Sequence, residues 1–217
     1  MTKIVFLLLL FYLPPLAAGD QPTILVVGDS LSAAYGLESG DGWVALLARR
    51  LRDLGYPQGV VNASVSGDTS GGGRARLPAL LERHRPAILV LELGGNDGLR
   101  GLPLEALEDN LARMIEAGEA AGAKVLLVGM QIPPNLGPIY TKGFREIYPR
   151  LARRYGIPLV PFLLEGVAGA ARMQEDGLHP DAEAQPQLLE NLWPYLRPLL
   201  DDLSSANERQ RSSHSKL

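Results

Sequence analysis

The chain reads ILVVGDSLSAAYG from Ile24 to Gly36. Four consecutive apolar residues run straight into Gly-Asp-Ser, with no polar alternation before the break. That pattern suits a strand covered on both faces, as in a parallel sheet flanked by helices. Two readings of Ser30 stay open within this stretch. It either begins the next helix, since Ser favours the N-cap, or it is held at the mouth of the sheet to react. The choice rests on what the rest of the chain brings to the same edge.

Similar runs recur along the sequence. TILVVG (23–28), GVVNA (59–63), AILVLELG (87–94), KVLLVGM (124–130) and PLVPFL (158–163) read as five strands. Helical patterns fill the gaps. Trp43, Leu46, Leu47, Leu51 and Leu54 share one helix face, and Leu77, Leu80 and Leu81 repeat the pattern. Leu104 to Ala121, Ile139 to Tyr155 and Gln185 to Leu200 make three more, the last interrupted by Pro194 and Pro198. Five strand-then-helix units imply one doubly wound α/β domain, spanning residues 20–203. From Ser204 the composition turns polar, which reads as a disordered tail over 204–217.

The bulk composition narrows the function. The 217 residues are 46% hydrophobic, enough for a single domain with its own core. With 21 Lys and Arg against 24 Asp and Glu, no basic stripe is offered to nucleic acid. Lys3, an apolar run from Ile4 to Leu13, Pro14-Pro15 and then Ala17-Ala18-Gly19 fit a cleaved secretory signal over residues 1–19. The run is shorter than the roughly 20 residues that span a bilayer, so no membrane span is expected after cleavage. The absence of cysteine removes thiol nucleophiles, disulfides and Cys-based zinc sites.

In open parallel sheets ligands bind beyond the carboxyl ends of the strands. Gly28-Asp29-Ser30 follows the first strand, SVSGDTSGGG with Gly67 the second, and Gly94-Gly95-Asn96-Asp97 the third. EDGLHPD, with Asp176 and His179, lies in the loop before the last helix. Singly, each has an ordinary explanation: a cap, a positive-φ glycine, a turn asparagine, a solvated loop charge. The histidines sharpen the choice. His84 sits in a charged helix end and His214 in the polar tail, so His179 is the one imidazole at the rim. Asp176, three residues earlier, can meet one ring nitrogen and turn the other towards Ser30. No GxxxxGK[ST] or GxGxxG order supports a nucleotide cradle, and one rim histidine makes a poor metal centre. No cofactor and no metal are expected.

GDSL with Ser30, SGDTS with Gly67, GGND with Asn96 and DGLH with Asp176 and His179 stand in the order of the four blocks of the SGNH (GDSL) hydrolases. The resemblance covers about Thr23 to Leu200. VVNASVSGDTS and LELGGNDGLRG are similar to the periplasmic esterase, thioesterase and lysophospholipase branch of Gram-negative bacteria. It implies a flavodoxin-like three-layer α/β/α sandwich on a five-stranded parallel sheet, and an exported, periplasmic, monomeric enzyme. It also implies hydrolysis of esters, thioesters and lysophospholipids through an acyl-enzyme. Mapped here, Ser30 is the nucleophile, His179 the base and Asp176 its orienting partner. The oxyanion hole is the N–H groups of Ser30 and Gly67 with the Asn96 amide. Ser30 at a helix start would gain from the helix dipole, and Asp29 either caps that helix or braces the site. Leu99, Leu102, Leu104, Ile132, Leu136, Ile139 and Tyr140 lie near the rim, where they either line an acyl groove or pack the loop bases. The alternatives are a carbohydrate O-deacetylase and a catalytically silent binding module on the same fold.

Overall fold

The computed structural model describes residues 22–38, 40–169 and 172–214, with side chains described up to residue 206. The proposed signal segment therefore lies outside the described residues. Five strands form: β1 (Thr23–Gly28), β2 (Gly59–Asn62), β3 (Ile88–Glu92), β4 (Lys124–Val128) and β5 (Leu159–Val160). All pair in parallel, in the order β2-β1-β3-β4-β5. The helices are α1 (Trp43–Asp53), α2 (Ser70–His84), α3 (Gly95–Leu99), α4 (Leu104–Ala120), α5 (Pro138–Tyr155) and α6 (Gln185–His214).

The apolar runs find the burial they need. Ile24 to Val27 and Ile88 to Leu91 are wholly enclosed, because α1 and α6 pack together on one face while α2, α4 and α5 cover the other. Trp43, Leu47 and Leu51 turn the α1 stripe inward, and Leu188, Leu192, Leu196 and Leu200 do the same for α6. The two helices are also tied at their starts, where the Trp43 N–H donates to Gln185 Oε1 at 3.0 Å.

Four local expectations change. No helix follows β1: residues 30–36 form consecutive turns, with the Ala33 N–H on the Asp29 carbonyl and the Tyr35 N–H on that of Ser30. Ser30 therefore stands at no helix start and gains nothing from a helix dipole. An extra short helix, α3, begins at Gly95 and carries Asn96. Pro194 and Pro198 do not interrupt α6, because both rings face solvent, where water can take the carbonyls they leave without a partner. The chain also stays helical past Ser204 to His214, so the polar tail continues α6. Ser204 and Ser205 donate their hydroxyls to the carbonyls of Leu200 and Asp201, and neither Gly nor Pro follows to stop the helix.

β5 is cut to two residues between Pro158 and Pro161, and its contact with β4 is close. A Cβ on Gly129 would sit 2.3 Å from the Pro161 carbonyl oxygen and 2.8 Å from that of Val160. Backbone cannot move aside as a side chain can. Gly129→Ala should lower stability by about 1–3 kcal/mol through overpacking, read as a lower urea midpoint. Gly59→Ala, with nothing within 4 Å of its added carbon, should stay within about 0.5 kcal/mol.

Candidate active site

The carboxyl ends of β1, β3, β4 and β5 open onto one cleft of about 570 Å³. Asp29, Ser30 and Leu31 come from the turn after β1, Gly95, Asn96 and Leu99 from α3, and Met130 to Pro134 from the segment after β4. Phe162, Leu164 and Met173 close one side, and Leu178 and His179 stand at the loop before α6.

Ser30, His179 and Asp176 form a continuous hydrogen-bonded chain. Ser30 Oγ lies 2.8 Å from His179 Nε2, and His179 Nδ1 lies 2.6 Å from Asp176 Oδ2. The Asp176 carboxylate also accepts the N–H groups of Leu178 and His179 on Oδ1. The imidazole bond first, then these two N–H bonds, lower its pKa to about 2, so it is a carboxylate at any ordinary pH. With the Nδ1 proton committed to Asp176, Nε2 is left to accept from the Ser30 hydroxyl. The Tyr35 ring leans on the imidazole with centroids 4.7 Å apart.

Behind Ser30 lie two carboxyl groups in very different surroundings from Asp176. Asp29 is buried, and burial lifts its pKa to about 6. Its Oδ1 accepts the Leu31 N–H at 3.1 Å, closing the turn around the serine, and its Oδ2 accepts from Asn96 Nδ2 at 3.2 Å. Asp29 therefore braces the site and caps no helix. Glu92, at the end of β3 opposite Gly28, is fully enclosed. Its Oε2 accepts the Ser32 hydroxyl at 2.5 Å and the Asp29 N–H at 3.3 Å, while Oε1 has no partner among the described residues. Burial, reinforced by the neighbouring Asp29, pushes its pKa well above the usual glutamate range. A shift in this direction favours the neutral acid over the carboxylate. Gly28 makes room for the Glu92 carboxyl: a Cβ there would meet Glu92 Oε2 at 2.5 Å and Ser32 Oγ at 2.8 Å.

Asn96 and Gly67 belong to a second connected set. Asn96 Nδ2 donates to the Asp68 carbonyl at 2.9 Å, besides its longer bond to Asp29. The buried Asp97 carboxylate takes both the N–H and the hydroxyl of Ser70, joining α3 to the start of α2. Gly67 has φ 79°, and its carbonyl accepts from Arg100 at 2.9 Å. Its N–H, like that of Ser30, meets no acceptor among the described residues. Gly67 stands in the β2–α2 loop rather than among the residues lining the cleft.

Of the seven apolar residues expected near the rim, Leu99 and Ile132 line the cleft and five do not. Leu104 packs towards α5, where a Cβ on Gly143 would touch it at 2.7 Å. The Tyr140 hydroxyl is spent on the Leu102 carbonyl at 2.6 Å, which braces the α3–α4 loop. Leu136 lies beside Gly101, and Ile139 is 89% exposed at the start of α5. The sequence reading missed Met130, Phe162, Leu164, Met173 and Leu178. Met130 and Phe162 fall inside the strands drawn from sequence and Leu164 just beyond, so the strand-end rule reaches all three only because β4 ends at Val128 and β5 at Val160. Among the described residues, no group of three or more His, Cys, Asp or Glu could hold a metal ion.

Residues 26–185 match the GDSL-like Lipase/Acylhydrolase family. Esterase TesA of Pseudomonas aeruginosa is 59% identical over 179 residues, which are 82% of this chain and 89% of that protein. Thioesterase 1/protease 1/lysophospholipase L1 of Escherichia coli is 44% identical over 186 residues, 85% of this chain and 87% of that one. Among solved structures, the esterase EstA of Pseudoalteromonas sp. inhibited by monoethylphosphonate superposes with a TM-score of 0.79 at 40% identity. That match covers 82% of this chain and 98% of that one.

The enclosed acid has a measurable signature. A carboxyl whose pKa is raised on folding stabilises most below its unfolded pKa, and that contribution falls away as pH rises towards the folded value. Glu92→Gln keeps the shape and removes the ionisation. Its Tm relative to the parent protein should therefore be higher at pH 8 than at pH 5. A relative Tm that does not rise between pH 5 and pH 8 would mean that the Glu92 pKa is not raised in the fold.

Proposed function

The chain belongs to the GDSL-like lipase/acylhydrolase family, and from that membership we propose a serine esterase that cleaves carboxylic esters and thioesters of acyl substrates, aryl esters and lysophospholipids included. The observation that carries the reading is the Ser30–His179–Asp176 chain of 2.8 Å and 2.6 Å at the mouth of an apolar cleft. Ser30 Oγ attacks the acyl carbon while His179 Nε2 takes its proton. The ionised Asp176 holds the resulting imidazolium. Collapse of the tetrahedral intermediate breaks the C–O or C–S bond, and the imidazolium returns the proton to the leaving oxygen or sulfur. Water, activated by the same imidazole, then releases the acid from Ser30.

The negative oxygen of that intermediate is assigned to the N–H groups of Ser30 and Gly67 and to the Asn96 amide. Both N–H groups are uncommitted, and a glycine at 67 lets an oxygen approach closely. Asn96 is aimed by its 2.9 Å bond to Asp68 and can exchange the longer one to Asp29 for the substrate. The leader reading of residues 1–19 supports export to the periplasm, where such a monomer would meet lysophospholipid.

Met130, Ile132, Phe162, Leu164, Met173 and Leu178 give the cleft an apolar wall suited to an acyl chain. They favour this substrate class over a sugar acetate. The chain from Asp20 should hydrolyse p-nitrophenyl esters with a maximum at medium or long acyl length, and lysophospholipid and acyl-thioester alongside. Ser30→Ala should abolish all three activities, and Asn96→Ala should lower turnover about 100- to 1000-fold. Activity confined to acetyl esters would favour the O-deacetylase instead.

The wall assignment is separable from the chemistry. Leu178→Ser should depress long-acyl turnover more than acetyl turnover. Ile139→Ser, outside the cleft, should change neither by more than about twofold. Steady-state kinetics on the ester series distinguishes the two outcomes.

A further inference from the structure

The two halves of the hydrogen-bonded chain are held by different means. Asp176 and His179 are three residues apart, within a narrow hairpin. There the Asp181 N–H donates to the Arg172 carbonyl at 3.0 Å and the Gln174 N–H to the His179 carbonyl at 2.7 Å. Met173 bridges Pro180 in antiparallel fashion, and the Gly177 N–H closes the tip on the Gln174 carbonyl. Their mutual geometry is local. Ser30 and His179 are 149 residues apart and sit on separate loops. A hydrogen bond of 2.8 Å between them needs the loops themselves to be fixed.

Besides the Tyr35 ring on the imidazole, the Gln174 side chain spans that gap by hydrogen bonds. Gln174 Nε2 donates to the Tyr35 carbonyl at 2.8 Å and to the Pro180 carbonyl at 3.0 Å. Tyr35 ends the turn that its own N–H closes on the Ser30 carbonyl, and Pro180 follows His179 directly. The nucleophile turn is shaped around the amide: Gly36 has φ 75°, and a Cβ there would stand 2.2 Å from Gln174 Oε1. Two carbonyls facing one nitrogen demand two N–H donors, which a primary amide supplies and a carboxylate does not.

We propose that Gln174 is a positioning residue that clasps the Ser30 turn to the His179 hairpin and so sets the nucleophile–base distance. It touches neither substrate nor reacting atoms and acts through the backbone on each side. The inference rests on the serine-esterase reading given above.

The test compares Gln174→Glu and Gln174→Ala with the parent chain, using p-nitrophenyl butyrate, an active-site phosphonate and the low-field proton resonance of His179 Nδ1–H. In both variants kcat should fall about 10- to 100-fold, the scale of a small misplacement of reacting groups. KM should stay within about twofold, since the acyl wall is untouched. Phosphonate labelling of Ser30 should slow in step with kcat, and the Nδ1–H resonance should persist because the hairpin keeps Asp176 on the ring. Should the glutamate variant not fold, the alanine variant decides. A kcat within about twofold of the parent overturns the proposal. So does loss of the Nδ1–H resonance together with activity, which would mean that Gln174 only holds the hairpin. Ser30→Ala separates the two levels: residual turnover there would sink the esterase reading, whereas an inert Ser30→Ala beside a normal Gln174→Ala sinks this inference alone.

Discussion

An enclosed carboxyl between the ends of β1 and β3 is the constraint around which the reactive turn is arranged. Glu92 takes the Asp29 N–H and the Ser32 hydroxyl on one oxygen, so the residues before and after Ser30–Leu31 are anchored to the neighbouring strand. The anchoring is possible because Gly28 leaves the space that the carboxyl fills. An unpaired buried polar group is costly, and a charged one more so. Two donors on Oε2 and a raised pKa, which favours the neutral acid, both lessen that cost.

Three carboxyl groups near one serine thus have their pKa values moved in different directions or by different amounts for different physical reasons. Asp176 stands in water with three donors and is ionised throughout. Asp29 is buried but has the Leu31 N–H and the Asn96 amide, and its pKa settles at about 6. Glu92 is deeper still, and burial with Asp29 as a neighbour pushes its pKa well above the usual glutamate range. A full charge is placed where it can stabilise an imidazolium. The two inner groups orient backbone and amide: Asp29 through the Leu31 N–H and the Asn96 amide, Glu92 through the Asp29 N–H and the Ser32 hydroxyl.

Much of the architecture was legible because β1, β3 and β4 are buried on both faces and confine their polar residues to the strand ends. β5 was overestimated: two prolines confine it, and the apolar residues beyond Pro161 serve the cleft instead. The polar positions at the strand ends were readable from order and spacing. Their surroundings were not, since neither the Asp29–Glu92 pair nor the Gln174 clasp follows any local pattern. Each joins segments that only the folded sheet brings together. Leu136 and Ile139 misled for the converse reason, since hydrophobicity near a rim does not say which way a side chain points. The turn after β1 was mistaken for a helix because Ser fits both, and the hydrogen bonds to Glu92 and Asp29 Oδ1 decide between them.

The span between Ser30 and His179 also sets an order in time. In the proposed mechanism the nucleophile, Ser30, is made early in the chain and its base, His179, 149 residues later. Until the last loop has emerged and docked, no length of growing chain holds a serine with a proton acceptor beside it. On that mechanism an enzyme with an appetite for acyl esters is silent while it is being synthesised, and it becomes reactive only once the sheet that joins its two ends has formed.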